Sequence, residues 1–224
     1  MHKKKEVDKV KTIGNGLFTL TKKVGEGSFG QVFLAHETAN ETRTVAVKAE
    51  SISCRFPQLI EEFKNSRLLK GHGFPELKHQ GIIVEKDYIY MITELLGPTL
   101  EDLFNYCGRK LSLKTNVIVF SQIIERLEHM HGRGLIHRDV KPDNIMMGMY
   151  NKSGIVHMID FGISRSYLNK ETKKHIDFCT GKNLVGTARY VSINAHLGYE
   201  LSRRDDLLTL GYVMIYFTAG ALPW

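Results

Sequence analysis

The chain has 224 residues, 42% of them hydrophobic, and a formal net charge of +7. This length and apolar content exclude a disordered chain and a disulfide-stapled miniprotein, and they fit one large domain or two lobes with a shared core. The positive charge favours acidic or phosphorylated partners.

The three cysteines, Cys54, Cys107 and Cys179, are far apart and show no C-x-x-C spacing. Neither a zinc site nor a disulfide framework is therefore indicated, and a reducing compartment, the cytoplasm or also the nucleus, is expected. The sequence makes no prediction of an oligomeric state.

The first sixteen residues predict a solvated basic arm. Lys3, Lys4 and Lys5 carry the charge of a signal peptide, but Glu6 and Asp8 follow where an apolar run would be needed. We therefore take residues 1–16 as an N-terminal arm and do not expect a membrane segment there.

Residues 17–96 have the pattern of a small β-rich lobe with one helix. Glycines separate β-rich runs at 18–20, 32–34 and 44–48. Helical spacing then predicts a helix over 57–70, and two more strands are expected at 82–84 and 88–93.

After Gly97 and Pro98 the pattern becomes helical, so residues 97–224 are predicted to form a larger, mainly helical lobe. Residues 113–131 have the spacing of an amphipathic helix. The apolar run 207–219 is shorter than the ~20 residues of a membrane span, and we expect a helix buried on every side. The predicted fold class is α+β, with two lobes and a hinge near residue 97.

A glycine motif stands at the start of the small lobe. Gly25, Glu26, Gly27, Ser28, Phe29 and Gly30, followed by Gln31 and Val32, match G-x-G-x-x-G-x-V, whose small residues let backbone N–H groups approach phosphate oxygens. The run that follows is β-like and not helical, which favours a strand-turn-strand flap over a dinucleotide fold. A plain hairpin remains the alternative for this motif alone.

Lys48 ends the run Val45-Ala46-Val47-Lys48, a match to V-A-I-K. Ala46 and Lys48 share one face of the predicted strand, so a flat base has room while the ammonium reaches phosphate oxygens. A carboxylate is needed to hold that ammonium, and Glu62 is the first candidate and Glu61 the second. The alternative is a solvated lysine at a sheet edge.

The most specific signal is His137 to Asn144, followed by Asp160-Phe161-Gly162. These letters appear in order after the glycine motif and the lysine, and they predict phosphoryl transfer from Mg·ATP. Asp139 is expected to take the proton of the substrate hydroxyl, and Lys141 to place a positive charge beside the transferring phosphate. Asn144 and Asp160 offer the oxygen ligands that Mg²⁺ prefers.

Several longer segments resemble the casein kinase 1 family of Ser/Thr protein kinases. They are Glu94 to Phe104, His137 to Asn144, Gly186 to Asn194 and Ser202 to Asp206. The most telling is Ser192-Ile193-Asn194, where other kinases have A-P-E. The resemblance covers about residues 17–224. It implies a bilobal protein kinase fold, ATP and Mg²⁺ as cofactors, and acidic or phosphorylated proteins as substrates.

Residue by residue, the resemblance implies a set of further roles. An adenine slot is expected, with Thr93 as gatekeeper and the backbone of Glu94 and Leu96 bonding the base; its lining residues would be Val24, Val32, Ala46, Met146 and Ile159. Thr187 would bond toward Asp139 and Lys141. Asp206 would brace the catalytic loop, and Lys182 with Arg189 would bind an anion on the substrate.

The sequence departs from that family in three places. Thr93 stands where a methionine is usual, an arginine of the activation segment is replaced near Cys179, and the chain ends at Trp224 where the family continues through more helices. The large lobe is therefore expected to be incomplete. This leaves open an alternative function as a regulatory or scaffolding module with little activity. Only the net charge supports nucleic-acid binding, since the sequence has no recognised motif for it.

Overall fold

The computed structural model describes residues 11–27, 30–54, 57–83 and 87–224. An antiparallel sheet of six strands forms the small lobe, in the order β1-β2-β3-β4-β6-β5. The strands are β1 (Thr12–Ile13), β2 (Phe18–Gly27), β3 (Gly30–Glu37), β4 (Asn40–Ser51), β5 (Leu77–Ile83) and β6 (Tyr88–Glu94).

Alternation along the central strands separates the core of the small lobe from the cleft. Phe33 on β3 and Val45 and Val47 on β4 are buried in the core, whereas Val32 and Lys48 point to the other side and are only half-buried. Among the described residues of this lobe the one helix is α1 (Leu59–Leu68), which contacts β4 and β6.

The sheet begins earlier than the sequence predicts. Residues 1–10 lie outside the described ranges, but Thr12 and Ile13 pair with Thr19 and Phe18, and Ile13 is buried. The predicted arm over 1–16 is therefore wrong for its last residues. Gly14, Asn15 and Gly16 all have positive φ, and this tight turn lets the apolar Ile13 return onto the sheet.

Helices α2 (Leu100–Tyr106), α3 (Leu113–Gly132), α4 (Ile193–His196) and α5 (Arg203–Ala219) form most of the large lobe. Four short strands accompany them: β7 (Leu135–Ile136), β8 (Ile145–Met147), β9 (Val156–Met158) and β10 (Arg165–Ser166), paired as β7–β10 and β8–β9. The predicted helix over 113–131 matches α3 to within one residue. Its apolar stripe, including Ile123 and Leu127, packs with Phe104 of α2 and Phe217 of α5 in the core.

Helix α5 is buried along one side only. Leu210, Val213 and Phe217 are in the core, but Leu207 and Ile215 are each 49% exposed. The prediction that this helix is buried on every side is wrong, because its helical spacing places those two side chains away from α3. Within the described part of the chain, no helix is long and apolar enough to cross a membrane.

Candidate active site

The backbone of the loop between β7 and β8 donates hydrogen bonds to one buried carboxylate. Asp206, in the first turn of α5, is 3% exposed and accepts hydrogen bonds from the backbone N–H groups of His137 and Arg138, both at 2.9 Å. His131 Nε2 lies 2.9 Å from the same carboxylate. Arg138 has a φ of 70°, a conformation that a non-glycine residue keeps only when its surroundings enforce it.

Asp139 stands at the centre of this loop with both carboxylate oxygens engaged. One oxygen accepts the Thr187 hydroxyl at 2.7 Å and the Thr187 N–H at 2.9 Å. The other lies 2.8 Å from Lys141 Nζ and accepts the Asn144 side-chain amide at 3.1 Å. Lys141 Nζ also donates to the Thr187 hydroxyl at 3.0 Å. The predicted contacts of Thr187 with Asp139 and Lys141 are therefore present.

The approach of Thr187 depends on the glycine before it. Gly186 has a φ of 95°, and a Cβ added there would lie 2.4 Å from the Arg138 carbonyl oxygen and 2.7 Å from Val191. Only glycine fits this crossing of the two segments. The chain then continues to Ser192 and Asn194, whose side chains both donate to one oxygen of Asp205, at 2.7 and 2.8 Å. These two hydrogen bonds to Asp205 give the serine and the asparagine of the Ser-Ile-Asn segment a structural role.

Lys48 reaches from β4 to two carboxylates across the cleft. Its Nζ lies 2.6 Å from Glu62 on α1 and 3.1 Å from Asp160, which follows β9. Glu61, the second candidate for this pairing, instead contacts Lys64. The structure thus brings together the lysine, the helix carboxylate and the Asp-Phe-Gly segment, which are separated by up to 112 residues.

Burial and the neighbouring charges shift the pKa of each group in this triad, and burial raises the pKa of Glu62 although Lys48 opposes it. Burial disfavours the charged form of Lys48, but Glu62 and Asp160 outweigh it and raise the pKa of the ammonium. Burial likewise acts to raise the pKa of Asp160, yet Lys48 more than offsets it and holds the pKa below its usual value. At neutral pH the site therefore presents one ammonium and an ionised aspartate.

The predicted slot residues line the cleft side of the two lobes. Val32 lies opposite both Gly25 and Lys48 in the sheet, and Ala46 lies opposite Thr93. From the large lobe, Met146 is on β8 and Ile159 follows β9; both are half-buried, as are Val32, Ala46 and Thr93, while Val24 is 49% exposed. Partly open apolar side chains on both sides of a cleft suit a flat ligand.

The glycine motif forms the end of the β2–β3 hairpin. Gly25 pairs with Val32, Glu26 with Gln31, and Gly27 with Gly30, which is the strand-turn-strand flap that the sequence predicts. A Cβ at Gly30 would lie 2.4 Å from the Ala49 carbonyl oxygen, so this position needs glycine. The predicted contacts of Ser28 and Phe29 fall outside the described residues.

The hinge connects β6 to α2 and is hydrogen-bonded to the large lobe. Gly97 N–H donates to the Met147 carbonyl at 2.8 Å, and Met147 N–H donates to the Pro98 carbonyl at 3.0 Å. The Glu94 side chain forms an ion pair with Lys152 at 2.6 Å, and the Glu94 backbone N–H donates to the Glu76 carbonyl. Leu96, the other residue predicted to bond the base, is half-buried between these contacts.

The family model for the protein kinase domain matches residues 18–224. The chain belongs to the protein kinase family. It is therefore a phosphotransferase that uses ATP, and the α+β bilobal fold predicted from the sequence is confirmed.

The metal position of this kinase domain has oxygen donors on two adjacent strands. Asn144 directly precedes β8, and Asp160 follows β9. These two strands pair antiparallel, and the Ile159 N–H donates to the Asn144 carbonyl at 3.0 Å, so Asn144 and Asp160 lie at the same end of the strand pair. Asn144 donates its amide N–H groups to Asp139, which leaves its side-chain oxygen as the atom that could bind a metal. Among the described residues no cluster of three or more His, Cys, Asp or Glu could hold a metal. Two oxygen ligands fit Mg²⁺, which keeps waters and phosphate oxygens as its other ligands.

A small basic cavity of about 180 Å³ lies beside the catalytic loop of the kinase domain. Arg138, Arg165 and Lys182 line it together with Glu200, which lies 2.8 Å from Lys182 and 3.4 Å from Arg165. Burial, and then the charge of Arg165, lower the pKa of Arg138, while Glu200 and Asp206 act to raise it. Arg189, predicted as the partner of Lys182, does not line this cavity; its guanidinium lies over the Tyr190 ring.

Proposed function

We propose that this kinase domain phosphorylates serine and threonine hydroxyls of proteins and prefers substrates that carry an acidic or phosphorylated residue near the target, as the casein kinase 1 family does. The observation that supports this most is the basic cavity formed by Arg138, Arg165 and Lys182. Three cations around one glutamate leave a net positive charge, and one of the cations, Arg138, directly precedes Asp139 in the chain.

The catalytic part of the proposal follows from the contacts of Asp139. Its carboxylate, held by Thr187 and Asn144, would accept a hydrogen bond from the substrate hydroxyl and then its proton. Lys141 would stabilise negative charge on the transferring phosphoryl group, and Lys48 would orient the other phosphates. Asn144 and Asp160 would hold Mg²⁺, which would supply positive charge to the phosphate groups when bound.

Lys141 also supports the serine/threonine preference. A lysine two residues after the catalytic aspartate is the form of this loop that Ser/Thr kinases have, and here its Nζ contacts both Asp139 and Thr187. We further place the enzyme in the cytoplasm or the nucleus, because all three cysteines are free thiols and two of them are exposed.

The basic cavity has the chemistry of a phosphate site. A phosphoserine carries close to two negative charges and three acceptor oxygens, and arginine can bind it with two parallel hydrogen bonds. Glu200 would have to share Arg165 and Lys182 with that phosphate, and the arginine replaced near Cys179 removes one further cation. We therefore infer a moderate preference for phosphorylated substrates.

The preference can be measured with three peptides that differ only in the residue three positions before the target serine: phosphoserine, aspartate or alanine. We expect the phosphoserine peptide to have a kcat/KM roughly 5- to 30-fold above that of the alanine peptide, which corresponds to about 1–2 kcal/mol, with aspartate between them. The ratio should fall at high salt because the cations are partly exposed. Equal rates for all three peptides would contradict the proposal.

Alanine substitutions test which residues bind the substrate anion. Lys182→Ala should remove most of the preference and leave turnover of the alanine peptide nearly unchanged, because the contact serves binding and not phosphate chemistry. Lys174→Ala, an exposed lysine of the same segment, is the matched control. Arg189→Ala should have little effect, and loss of the preference in that variant alone would place the anion at Arg189 and not in the cavity.

A further inference from the structure

Helix α1, which carries Glu62, starts on a carboxylate from the sheet. Glu50 is 1% exposed and accepts hydrogen bonds from the N–H groups of Gln58, at 2.9 Å, and Leu59, at 2.7 Å. The cap residue of the helix, Gln58, makes no capping bond with its own side chain. A charged oxygen at these otherwise unpaired N–H groups also matches the positive end of the helix dipole.

This contact links the start of α1 to the strand that carries the catalytic lysine. Glu50 follows Lys48 by two residues on β4, so both side chains leave the same face of the strand. Glu62 lies one turn into the helix, and its N–H bonds the Gln58 carbonyl at 2.9 Å. Fixing Gln58 and Leu59 therefore sets the distance at which Glu62 meets Lys48.

The other half of α1 is tied to the segment that carries Asp160. Asn65 is 7% exposed, and its side-chain amide donates to the carbonyls of Phe161, at 2.9 Å, and Ser164, at 3.3 Å. Asn65 lies one turn beyond Glu62 on the helix. A single amide group thus spans both ends of the turn that follows Asp160.

That turn needs support, because Asp160 has a φ of 65°. A left-handed non-glycine residue costs of order 1–3 kcal/mol and persists only when neighbouring contacts enforce it. Arg138 Nε bonds the Ile163 carbonyl at 2.7 Å from the large lobe. From the small lobe, the bonds of Asn65 to Phe161 and Ser164 serve the same purpose.

We propose that Glu50 and Asn65 are positioning residues that fix helix α1 and the Asp160 turn in the arrangement that binds Mg·ATP. This inference rests on the proposed function, because it assigns metal binding to Asp160. Neither residue touches the reacting groups in this proposal. Glu50 acts through Glu62 and Lys48, and Asn65 acts through the backbone that carries Asp160.

Asn65→Leu is the main test, since leucine has the same branched shape and the same number of side-chain heavy atoms, although it is bulkier, and it donates no hydrogen bond. Two buried carbonyls lose their donor, and we expect kcat to fall roughly tenfold. The strengthening of nucleotide binding by Mg²⁺, measured as the ratio of ATP dissociation constants without and with the metal, should fall by a similar factor. Asn65→Asp should be worse, because its carboxylate would face two carbonyl oxygens.

Asn116→Leu is the matched control. Asn116 is also a buried asparagine on a helix, 1% exposed, but its amide donates to Thr218 between α3 and α5, on the far side of the large lobe. We expect this variant to lower the melting temperature without changing the Mg²⁺ ratio. Melting temperatures of all variants identify any that fail to fold.

Glu50→Gln tests the other end of the helix. The amide keeps one acceptor oxygen but loses the charge and the second oxygen, so kcat/KM for ATP should fall about two- to tenfold. An unchanged value would remove Glu50 from the proposal.

The two proposals fail differently. If the unaltered chain phosphorylates peptides but Asn65→Leu has full kcat and an unchanged Mg²⁺ ratio, the positioning role of Asn65 is wrong. If the unaltered chain transfers no phosphate, the proposed function is wrong, and the Mg²⁺ ratio of the ATP dissociation constants still decides the role of Asn65.

Discussion

Replacing Asp139 by asparagine is expected to lower kcat/KM by at least ~10², which is about 2.7 kcal/mol of transition-state stabilisation. The change keeps the size of the side chain and removes the proposed acceptor of the substrate proton. It also replaces an oxygen beside Lys141 or Thr187 by an amide nitrogen, so one of the contacts that orient the side chain is lost. A radiolabel ATP assay with a peptide substrate measures the effect.

Asp143 offers the control for this experiment. It lies four residues further along the same loop and is exposed, and the structure gives it no contact with Asp139. Asp143→Asn should therefore retain near-normal activity. A near-normal rate for Asp139→Asn in clean protein would rule out its role as the base.

The sequence predicts the fold and the centre of the site because each depends on patterns that are local in the chain. Alternating apolar residues predict the strands of the small lobe, and apolar residues at helical spacing predict α3. The two short motifs around Asp139 and Asp160 predict phosphoryl transfer. Glu62 could be chosen over Glu61 only with the family pattern in mind. The structure agrees, because Glu61 faces Lys64 on the outside of the helix.

The positioning contacts could not be predicted in the same way. Glu50 and Asn65 bond to backbone groups, and Asn65 meets Phe161 across 96 residues, so no spacing rule connects them. Strand β1, in contrast, has a local signal in the sequence. Gly14-Asn15-Gly16 is a turn signal between Ile13 and Phe18, and it predicts the additional strand β1.

The proposed anion site depends on cations from three separate segments of the chain. Lys182 and Arg189 are close in the chain, but only Lys182 faces the cavity, where it joins Arg138 and Arg165 from two other segments. Charge clusters in a sequence show how many cations are present. Which of them converge depends on the path of the backbone between β10 and α5.

Lys48→Met is the second change with a large expected effect. It should lower kcat/KM by at least ~10², because phosphate oxygens lose the ammonium that orients them. It should also destabilise the fold by about 1–3 kcal/mol, since Glu62 and Asp160 then lie near one another without the cation that now separates them. Lys22→Met, an exposed lysine on β2, is the control and should change neither quantity.

The loss of stability in Lys48→Met should depend on pH, and its sign follows from the carboxylates. In the unaltered chain Lys48 holds the pKa of Asp160 below its usual value, so that contribution is complete above the pKa of the unfolded chain and is lost as pH falls through the folded pKa. In the unaltered chain burial already raises the pKa of Glu62, and Lys48 opposes that rise. Without Lys48, burial and mutual repulsion raise the pKa of both carboxyl groups, and the folded variant takes up protons more readily than the unfolded one. The difference in melting temperature between the two proteins should therefore shrink from about pH 7.5 to about pH 5.5. Lys48→Met/Glu62→Gln removes one of the two charges, so this double variant should be more stable than Lys48→Met and respond less to pH. A pH-independent difference in all variants would show that the lysine contributes packing and not charge.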